Sequence, residues 1–146
     1  LRLAGGGKGL LFASQISVGE ENPLSLRLWC ERGGLEWRQH DPNTLLVKWA
    51  DRPLEVRRAG RYFAEELPLA RAATRMPAGH PEGYLEAFAT LYARLARRLM
   101  AEREGRAPEP ADCETPGVAE GLRGMALIEA VADSAARDGA WVAVEE

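Results

Sequence analysis

Three segments, residues 24–31, 35–40 and 45–49, carry largely apolar side chains at every second position, and this alternation constrains the fold more than any other feature of the sequence. A period of two is typical of β-strands that bury one face. Turns rich in Gly, Asp, Asn and Pro separate the segments, so we expect consecutive antiparallel strands. Further strands are predicted at residues 1–4, 8–17, 54–57 and 141–144. The sequence therefore predicts an open antiparallel sheet of about six strands.

The two faces of this predicted sheet differ in chemistry. One face carries apolar side chains: Leu24, Leu26, Leu28, Cys30, Leu35, Trp37, Leu45, Val47, Trp49, Leu54 and Val56. The other face mixes charges with a tryptophan: Arg27, Trp29, Glu31, Glu36, Arg38, Lys48, Glu55 and Arg57. The apolar face requires a cover of helices. The mixed face suits either a solvated surface or a subunit interface, and its arginine and tryptophan content favours the interface.

The second half of the sequence has helical periodicity. Apolar residues recur at helical spacing over residues 81–104, and Thr115 with Pro116 predicts the start of another helix. An alanine-rich piece at 64–73 predicts a shorter one. The arginines of the long helix are predicted to lie on its solvated side: Arg94, Arg97, Arg98 and Arg103. Strands followed by helices indicate one α+β domain over residues 1–146, with two or three helices covering one face of the sheet.

Charge and composition exclude several classes of protein. The 19 basic and 22 acidic side chains give a net charge of -3, which argues against nucleic-acid binding. No segment approaches the roughly 20 apolar residues of a membrane span. Cys30 and Cys113 are too few for a disulfide scaffold and have no C-x-x-C spacing, so we expect two reduced thiols in a cytoplasmic protein. Only two histidines are present, and no metal site is expected.

The glycine-rich segment at residues 5–9 does not match a nucleotide-binding motif. Leu10 occupies the position that the third glycine of G-x-G-x-x-G would need. A strand is predicted to follow, so no helix N-terminus is available for a phosphate group. We interpret the segment as a hairpin turn.

His80 lies in a proline-containing loop that leads into the long predicted helix, and two interpretations of it stay open. It is either a ligand-facing imidazole that exchanges a proton near neutral pH, or a structural histidine that caps the helix. Glu82 and Glu86 lie four residues apart and are predicted to share a solvated helix face. A self-sufficient enzyme that uses His80 with Glu82 is the least favoured hypothesis, because no nucleophile, metal cluster or phosphate loop accompanies them.

The His80 loop resembles a signature in the C-terminal domain of the glucose–fructose oxidoreductase / inositol dehydrogenase (Gfo/Idh/MocA) family, through Gly79-His80-Pro81-Glu82-Gly83-Tyr84 and Ala87-Phe88. Other stretches agree in the same order: Ser14-Gln15-Ile16-Ser17 with Gly19 and Asn22, Gly33-Gly34-Leu35 with Trp37, Pro42-Asn43, Gly121-Leu122-Arg123-Gly124-Met125 with Ala130 and Ser134, and Trp141-Val142. The resemblance therefore covers nearly the whole chain.

The resemblance implies a dihydrodipicolinate-reductase-like C-terminal domain, which is an open antiparallel sheet with helices on one side. In such enzymes an N-terminal Rossmann domain binds NAD or NADP. The C-terminal domain shapes a pocket for a sugar or polyol, and its open sheet face commonly forms a dimer. By this resemblance His80 and Gln15 would line the substrate pocket, and Arg27, Trp29 and Arg38 would lie in the dimer interface.

Three segments that the family carries upstream are missing from this sequence: the dinucleotide fingerprint, the E-K-P segment with its catalytic lysine, and an acid–histidine segment. We therefore expect the later part of a longer NAD(P)-dependent oxidoreductase, without the N-terminal Rossmann domain. No catalytic residue and no cofactor site are expected in this chain alone. The alternative is a stand-alone, non-catalytic dimerising or binding protein that retained the open sheet.

Overall fold

The computed structural model describes residues 1–60 and 67–145. The chain divides into two compact units, Leu1–Arg58 and Ala59–Glu146. The first contains an antiparallel sheet and the second contains the helices, so the predicted α+β class is confirmed. Among the described residues, no helix is both long enough and apolar enough to cross a membrane.

The sheet has four strands in the order of the sequence. They are β1 (Ser25–Cys30), β2 (Gly33–Arg38), β3 (Thr44–Trp49) and β4 (Glu55–Arg58), and each pairs with the next in antiparallel fashion. The predicted count of about six is not confirmed, because residues 8–17 and 141–144 form no strand in the described chain apart from a single bridge between Arg2 and Lys8. Alternation yields a strand only where a neighbouring strand accepts the backbone hydrogen bonds. The predicted cover of helices over one face stays a prediction.

The turn between β1 and β2 lies one residue earlier than the glycines suggest. Glu31 and Arg32 form a two-residue turn, and Gly33 and Gly34 already belong to β2. A Cβ atom at Gly34 would lie 2.6 Å from the carbonyl oxygen of Leu28. These glycines therefore serve the close approach of neighbouring strands rather than the turn itself.

The residues of strand β4 lie on the opposite faces of the sheet from those predicted. Val47 pairs with Glu55, and Leu46 pairs with Val56. Directly paired residues share a face of the sheet, so Val56 lies on the mixed face and Glu55 lies on the apolar face. The prediction that placed Glu55 and Arg57 on the mixed face is therefore wrong. The pairing across the connection at residues 48–54 decides the face, and the alternation of residues 54–57 does not fix that pairing. Trp49 Nε1 donates to Glu55 Oε1 at 2.7 Å, which holds Glu55 on the apolar face.

The second unit contains three α-helices in the described residues. They are α1 (Pro68–Ala73), α2 (Tyr84–Arg103) and α3 (Val118–Ala136), and a short 3-10 turn, Pro110–Cys113, lies between the last two. The two long predicted helices are confirmed, although each starts two or three residues later than predicted. The predicted helix at 64–73 is confirmed from Pro68, and residues 64–66 lie outside the described residues.

Each long helix begins after a glycine whose N–H is capped by a glutamate three residues later. The Glu86 carboxylate accepts the Gly83 N–H at 2.9 Å, and the Glu120 carboxylate accepts the Gly117 N–H at 2.8 Å. These bonds satisfy donors that a helix start leaves without an intrahelical partner. They explain why the helices start where they do rather than at the prolines.

Two arginines of α2 are not on a simple solvated side. Arg97 donates two hydrogen bonds to Asp112 Oδ1, at 2.8 and 2.7 Å, and the Arg97 guanidinium holds the pKa of the buried Asp112 below its ordinary value. Arg94 is itself buried and donates to the carbonyl oxygen of Glu114 at 3.4 Å. The prediction is wrong for Arg94, and Arg97 instead fastens the 3-10 turn to α2.

The glycines of β2 permit a direct test of the sheet. In Gly34→Ala the new Cβ atom would meet the Leu28 carbonyl, so we expect the free energy of unfolding to fall by about 1–3 kcal/mol. Gly5→Ala is the matched control, because no atom lies within 4 Å of a Cβ atom there. Urea unfolding followed by tryptophan fluorescence measures both. Equal stability of the two variants would contradict the close strand approach.

Candidate functional site

One face of the sheet gathers charges around a buried glutamate. We call it the Glu36 face and define it by Arg27, Trp29, Glu36, Arg38 and Lys48. The register places Arg27 directly opposite Glu36 and Trp29 opposite Gly34. All three predicted interface residues therefore lie on one face, and their role in an interface stays a prediction.

Glu36 is the electrostatic centre of this face. Its side chain is only 5% exposed, although its neighbours are open to solvent. Lys48 Nζ donates to Glu36 Oε2 at 2.5 Å, Arg38 Nε donates to Oε1 at 2.8 Å, and Arg27 Nε lies 3.7 Å from Oε1. The Lys48 ammonium and the Arg38 guanidinium lower the pKa of Glu36 from 4.5 to about 2. The carboxylate is therefore ionised at neutral pH and shared by three strands.

Apolar side chains accompany the charges of the Glu36 face. Trp29 is 75% exposed, and its directly paired residue, Gly34, has no side chain. Leu46 lies opposite Glu36, and Val56 extends the face into β4. A face of this composition, with an exposed tryptophan and arginines, has the chemistry of a protein–protein interface.

The His80 loop runs between α1 and α2 and is held in a defined conformation. Thr74 closes α1, since its hydroxyl donates to the Ala70 carbonyl at 2.8 Å. The N–H of His80 donates to the Pro77 carbonyl at 3.1 Å and forms a turn around Gly79, whose φ of 87° favours glycine. His80 is exposed at the end of this turn.

Glu82 folds back onto the start of the His80 loop. It precedes the first residue of α2, so the prediction that Glu82 and Glu86 share a helix face is wrong. The Glu82 carboxylate accepts the N–H of Arg75 at 2.9 Å and the N–H of Met76 at 3.1 Å. The signal that could have separated the two glutamates is the spacing Gly83-x-x-Glu86, which predicts a capped helix start at Gly83.

Two further contacts fix the loop. The Arg75 guanidinium donates to the Glu86 carbonyl at 3.0 Å in the first turn of α2. Ala78 lies so close to Gly60 that a Cβ atom at Gly60 would be 2.8 Å from the Ala78 Cβ. Neither Arg75 nor Gly60 was predicted to matter, because both contacts join residues that are distant in the sequence. The loop is thus held at both ends and in its middle.

Gln15 lies in the first unit, in a turn ordered by two serines. The Ser17 hydroxyl donates to Ser14 Oγ at 2.9 Å, and Ser14 Oγ accepts the Ile16 N–H at 3.2 Å. These bonds join residues on either side of Gln15, whose own side chain is exposed. Its role in a substrate pocket stays a prediction, as does that of His80 in the second unit.

The glycine-rich segment at residues 5–9 does not have the geometry of a dinucleotide-binding loop. Gly6 and its neighbours form the predicted hairpin turn, in which the Leu3 N–H donates to the Gly7 carbonyl at 2.9 Å, and no helix follows. The N–H groups of this segment are therefore not arranged at a helix start. Within residues 1–60 and 67–145, no three His, Cys, Asp or Glu side chains converge as metal ligands.

Known oxidoreductases match this chain in sequence and structure. It superposes on an oxidoreductase from Sinorhizobium meliloti over 89% of its length, with a TM-score of 0.81 and 38% identity. An inositol dehydrogenase homologue from Azotobacter vinelandii matches at 31% identity in two crystal structures. Its complex with NAD+ covers 97% of this chain with a TM-score of 0.86, and its complex with NADH and myo-inositol covers 94% with a TM-score of 0.84.

The predicted resemblance to the C-terminal domain of the Gfo/Idh/MocA family is confirmed. The uncharacterized oxidoreductase YfiI of Bacillus subtilis (strain 168) agrees with it, at 25% identity over 137 residues and 94% of this chain. The chain spans about a third of these relatives, 34% of YfiI, 35% of the Sinorhizobium protein and 36% of the Azotobacter protein. No protein-family model matches the chain.

The ion cluster around Glu36 predicts a stability that depends on pH. Because the pKa of Glu36 is lowered in the folded state to about 2, its stabilising effect is complete above the ordinary value of 4.5. The effect is lost as the pH falls from 4.5 toward 2. We expect the unfolding free energy of the wild type to fall more steeply over this range than that of Glu36→Gln.

Urea unfolding across this pH range measures the difference. Glu31→Gln, in the exposed turn between β1 and β2, is the control and should follow the wild type. Parallel curves for the wild type and Glu36→Gln would contradict the ion cluster.

Proposed function

We propose that this chain is the substrate-binding and dimerisation part of an NAD(P)-dependent oxidoreductase that acts on a sugar or polyol. The observation that carries the proposal is the match, over 94% of the chain, to an inositol dehydrogenase homologue crystallised with NADH and myo-inositol. The nicotinamide cofactor would be bound by another part of a longer polypeptide, because the glycine-rich segment at residues 5–9 forms a hairpin turn. The proposal leaves the catalytic residues to that part.

The chemistry of His80 and Gln15 supports a polyol as the substrate. Each hydroxyl of a polyol both donates and accepts hydrogen bonds, and so do a neutral imidazole and a carboxamide. The conformation of the His80 loop supports the same role, because a side chain on a fixed loop loses less entropy when it binds a ligand. His80 and Gln15 would therefore orient the substrate rather than transfer the hydride.

Dimerisation through the Glu36 face is the second part of the proposal. The exposed Trp29, the neighbouring Leu46 and Val56, and the arginines support it, because interface hot spots are enriched in tryptophan and arginine. The face lies wholly within β1–β4 and requires neither His80 nor Gln15. That independence favours one alternative function, a non-catalytic dimerising or binding protein, which would form the same dimer without binding a cofactor.

The two cysteines support a cytoplasmic location. Cys30 and Cys113 are both exposed and unpaired. Exposed free thiols are typical of reducing compartments.

The substrate role of His80 can be tested on the native polypeptide that carries this chain. Steady-state oxidation of myo-inositol and other polyols with NAD+ or NADP+ measures KM and kcat. We expect His80→Ala to raise the KM for the polyol about tenfold, since one hydrogen bond to the substrate is lost, and to leave cofactor affinity unchanged.

His40→Ala is the control, because His40 is the other histidine of the chain, is exposed, and lies at a long distance, 3.4 Å, from the Glu21 carbonyl. An unchanged polyol KM in His80→Ala would refute the substrate role. Absence of any nicotinamide-dependent activity or cofactor binding would favour the non-catalytic alternative.

The proposed dimer can be tested by placing a charge on the Glu36 face. We expect Trp29→Glu to weaken the dimer by about 2 kcal/mol or more, roughly thirtyfold in Kd, because a central exposed aromatic would be lost. Sedimentation equilibrium measures the dissociation constant. Arg103→Glu, at an exposed arginine of α2 that is predicted to be solvated, should leave it unchanged. A dimer equally stable in both variants would show that the interface lies on another surface and would contradict the proposed one.

A further inference from the structure

We propose that Glu82 is the positioning residue of the His80 loop and acts on the substrate only through His80. The inference rests on the proposed function, since it takes His80 as a substrate-binding residue. It adds a role for a carboxylate that the sequence pattern assigned to a solvated helix face.

The bonds of Glu82 join the two ends of the loop. Its carboxylate binds the backbone N–H groups of Arg75 and Met76, seven and six residues earlier in the chain. Residues 75–82 therefore form a ring closed by hydrogen bonds, and His80 is one of the residues of this ring. The Arg75 side chain ties this ring to the first turn of α2 through the Glu86 carbonyl.

The interior of the ring has little freedom of its own. Pro77 and Pro81 fix their φ angles, and the His80 N–H is already bound to the Pro77 carbonyl at 3.1 Å. Closing the ring at Glu82 removes the remaining freedom at its ends. The imidazole is thereby presented from a backbone that is ordered before the substrate arrives, which lowers the entropy cost of binding.

The chemistry of the contact favours a carboxylate. Glu82 Oε2 accepts both N–H groups, and Oε1 accepts the Arg75 N–H as well at 3.1 Å, so both oxygens face backbone donors. A carboxamide would offer one oxygen and would turn an N–H₂ group toward a backbone donor. Because the Glu82 oxygens already accept these donors, Glu82 is poorly suited to act as the general acid or base beside His80.

The closing experiment is a double-mutant cycle on the native polypeptide. We expect Glu82→Gln to raise the KM for the polyol about tenfold when His80 is present, and less than about twofold in the His80→Ala background. Glu102→Gln removes a charge from an exposed site of α2 and should change neither value. Equal effects of Glu82→Gln in both backgrounds would overturn the positioning role, since a general loss of structure does not depend on His80.

Amide hydrogen exchange gives a second readout that does not depend on catalysis. Exchange at Arg75 and Met76 should accelerate at least tenfold in Glu82→Gln, and Glu82→Asp, which keeps the carboxylate, should retain part of the protection. Unchanged exchange in Glu82→Gln would overturn the inference even if His80 binds the substrate. Faster exchange together with an unchanged KM in His80→Ala would instead uphold the loop closure and refute the proposed function of His80.

Discussion

The sheet of the first unit depends on the register that brings Glu36 among three cations. Each of the strands β1, β2 and β3 contributes at least one member, so the cluster exists only when all three strands are paired as observed. A slip of one residue would turn every side chain of β2 to the other face and move the Glu36 carboxylate to the face that carries Leu28 and Val47. There the carboxylate would keep Arg38, which lies on the same strand, but would lose Arg27 and Lys48. The charges therefore specify the pairing of the strands as well as the chemistry of the face.

Carboxylates organise the second unit in a related way, but their main partners there are backbone amides. Glu86 and Glu120 each cap the start of a helix, and Glu82 closes the loop that precedes α2. The Gly83 N–H lowers the pKa of Glu86, and the Gly117 N–H lowers that of Glu120, so both remain ionised at neutral pH. The loop that carries the candidate substrate histidine is thus fixed by hydrogen bonds to backbone groups just before the start of a long helix.

The sequence was sufficient to predict the strands and helices whose pattern is local. It was not sufficient for features that depend on contacts between residues far apart in the chain. The alternation in β1, β2 and β3 and the periodicity of α2 were sufficient, because each segment shows its own period. The faces on which the β4 residues lie were not predictable from the alternation of residues 54–57, since they depend on which residues of β3 and β4 pair. Glu82 was misassigned because the helical pattern continues smoothly through it, and only the bonds to Arg75 and Met76 reveal its different role. The likeness to oxidoreductases was found from the motifs, whereas the interface and pocket residues stay predictions.

The connection between β3 and β4 separates two ways in which this domain could change over evolutionary time. Seven residues separate Val47 from its partner Glu55. A residue inserted or deleted there leaves the Glu36 face unchanged if the loop absorbs it and Val56 still pairs with Leu46. If β4 instead slides by one residue along β3, Glu55 and Arg57 replace Val56 on that face. The chemistry of the face is therefore preserved by the pairing of Val56 with Leu46 and not by the length of the loop.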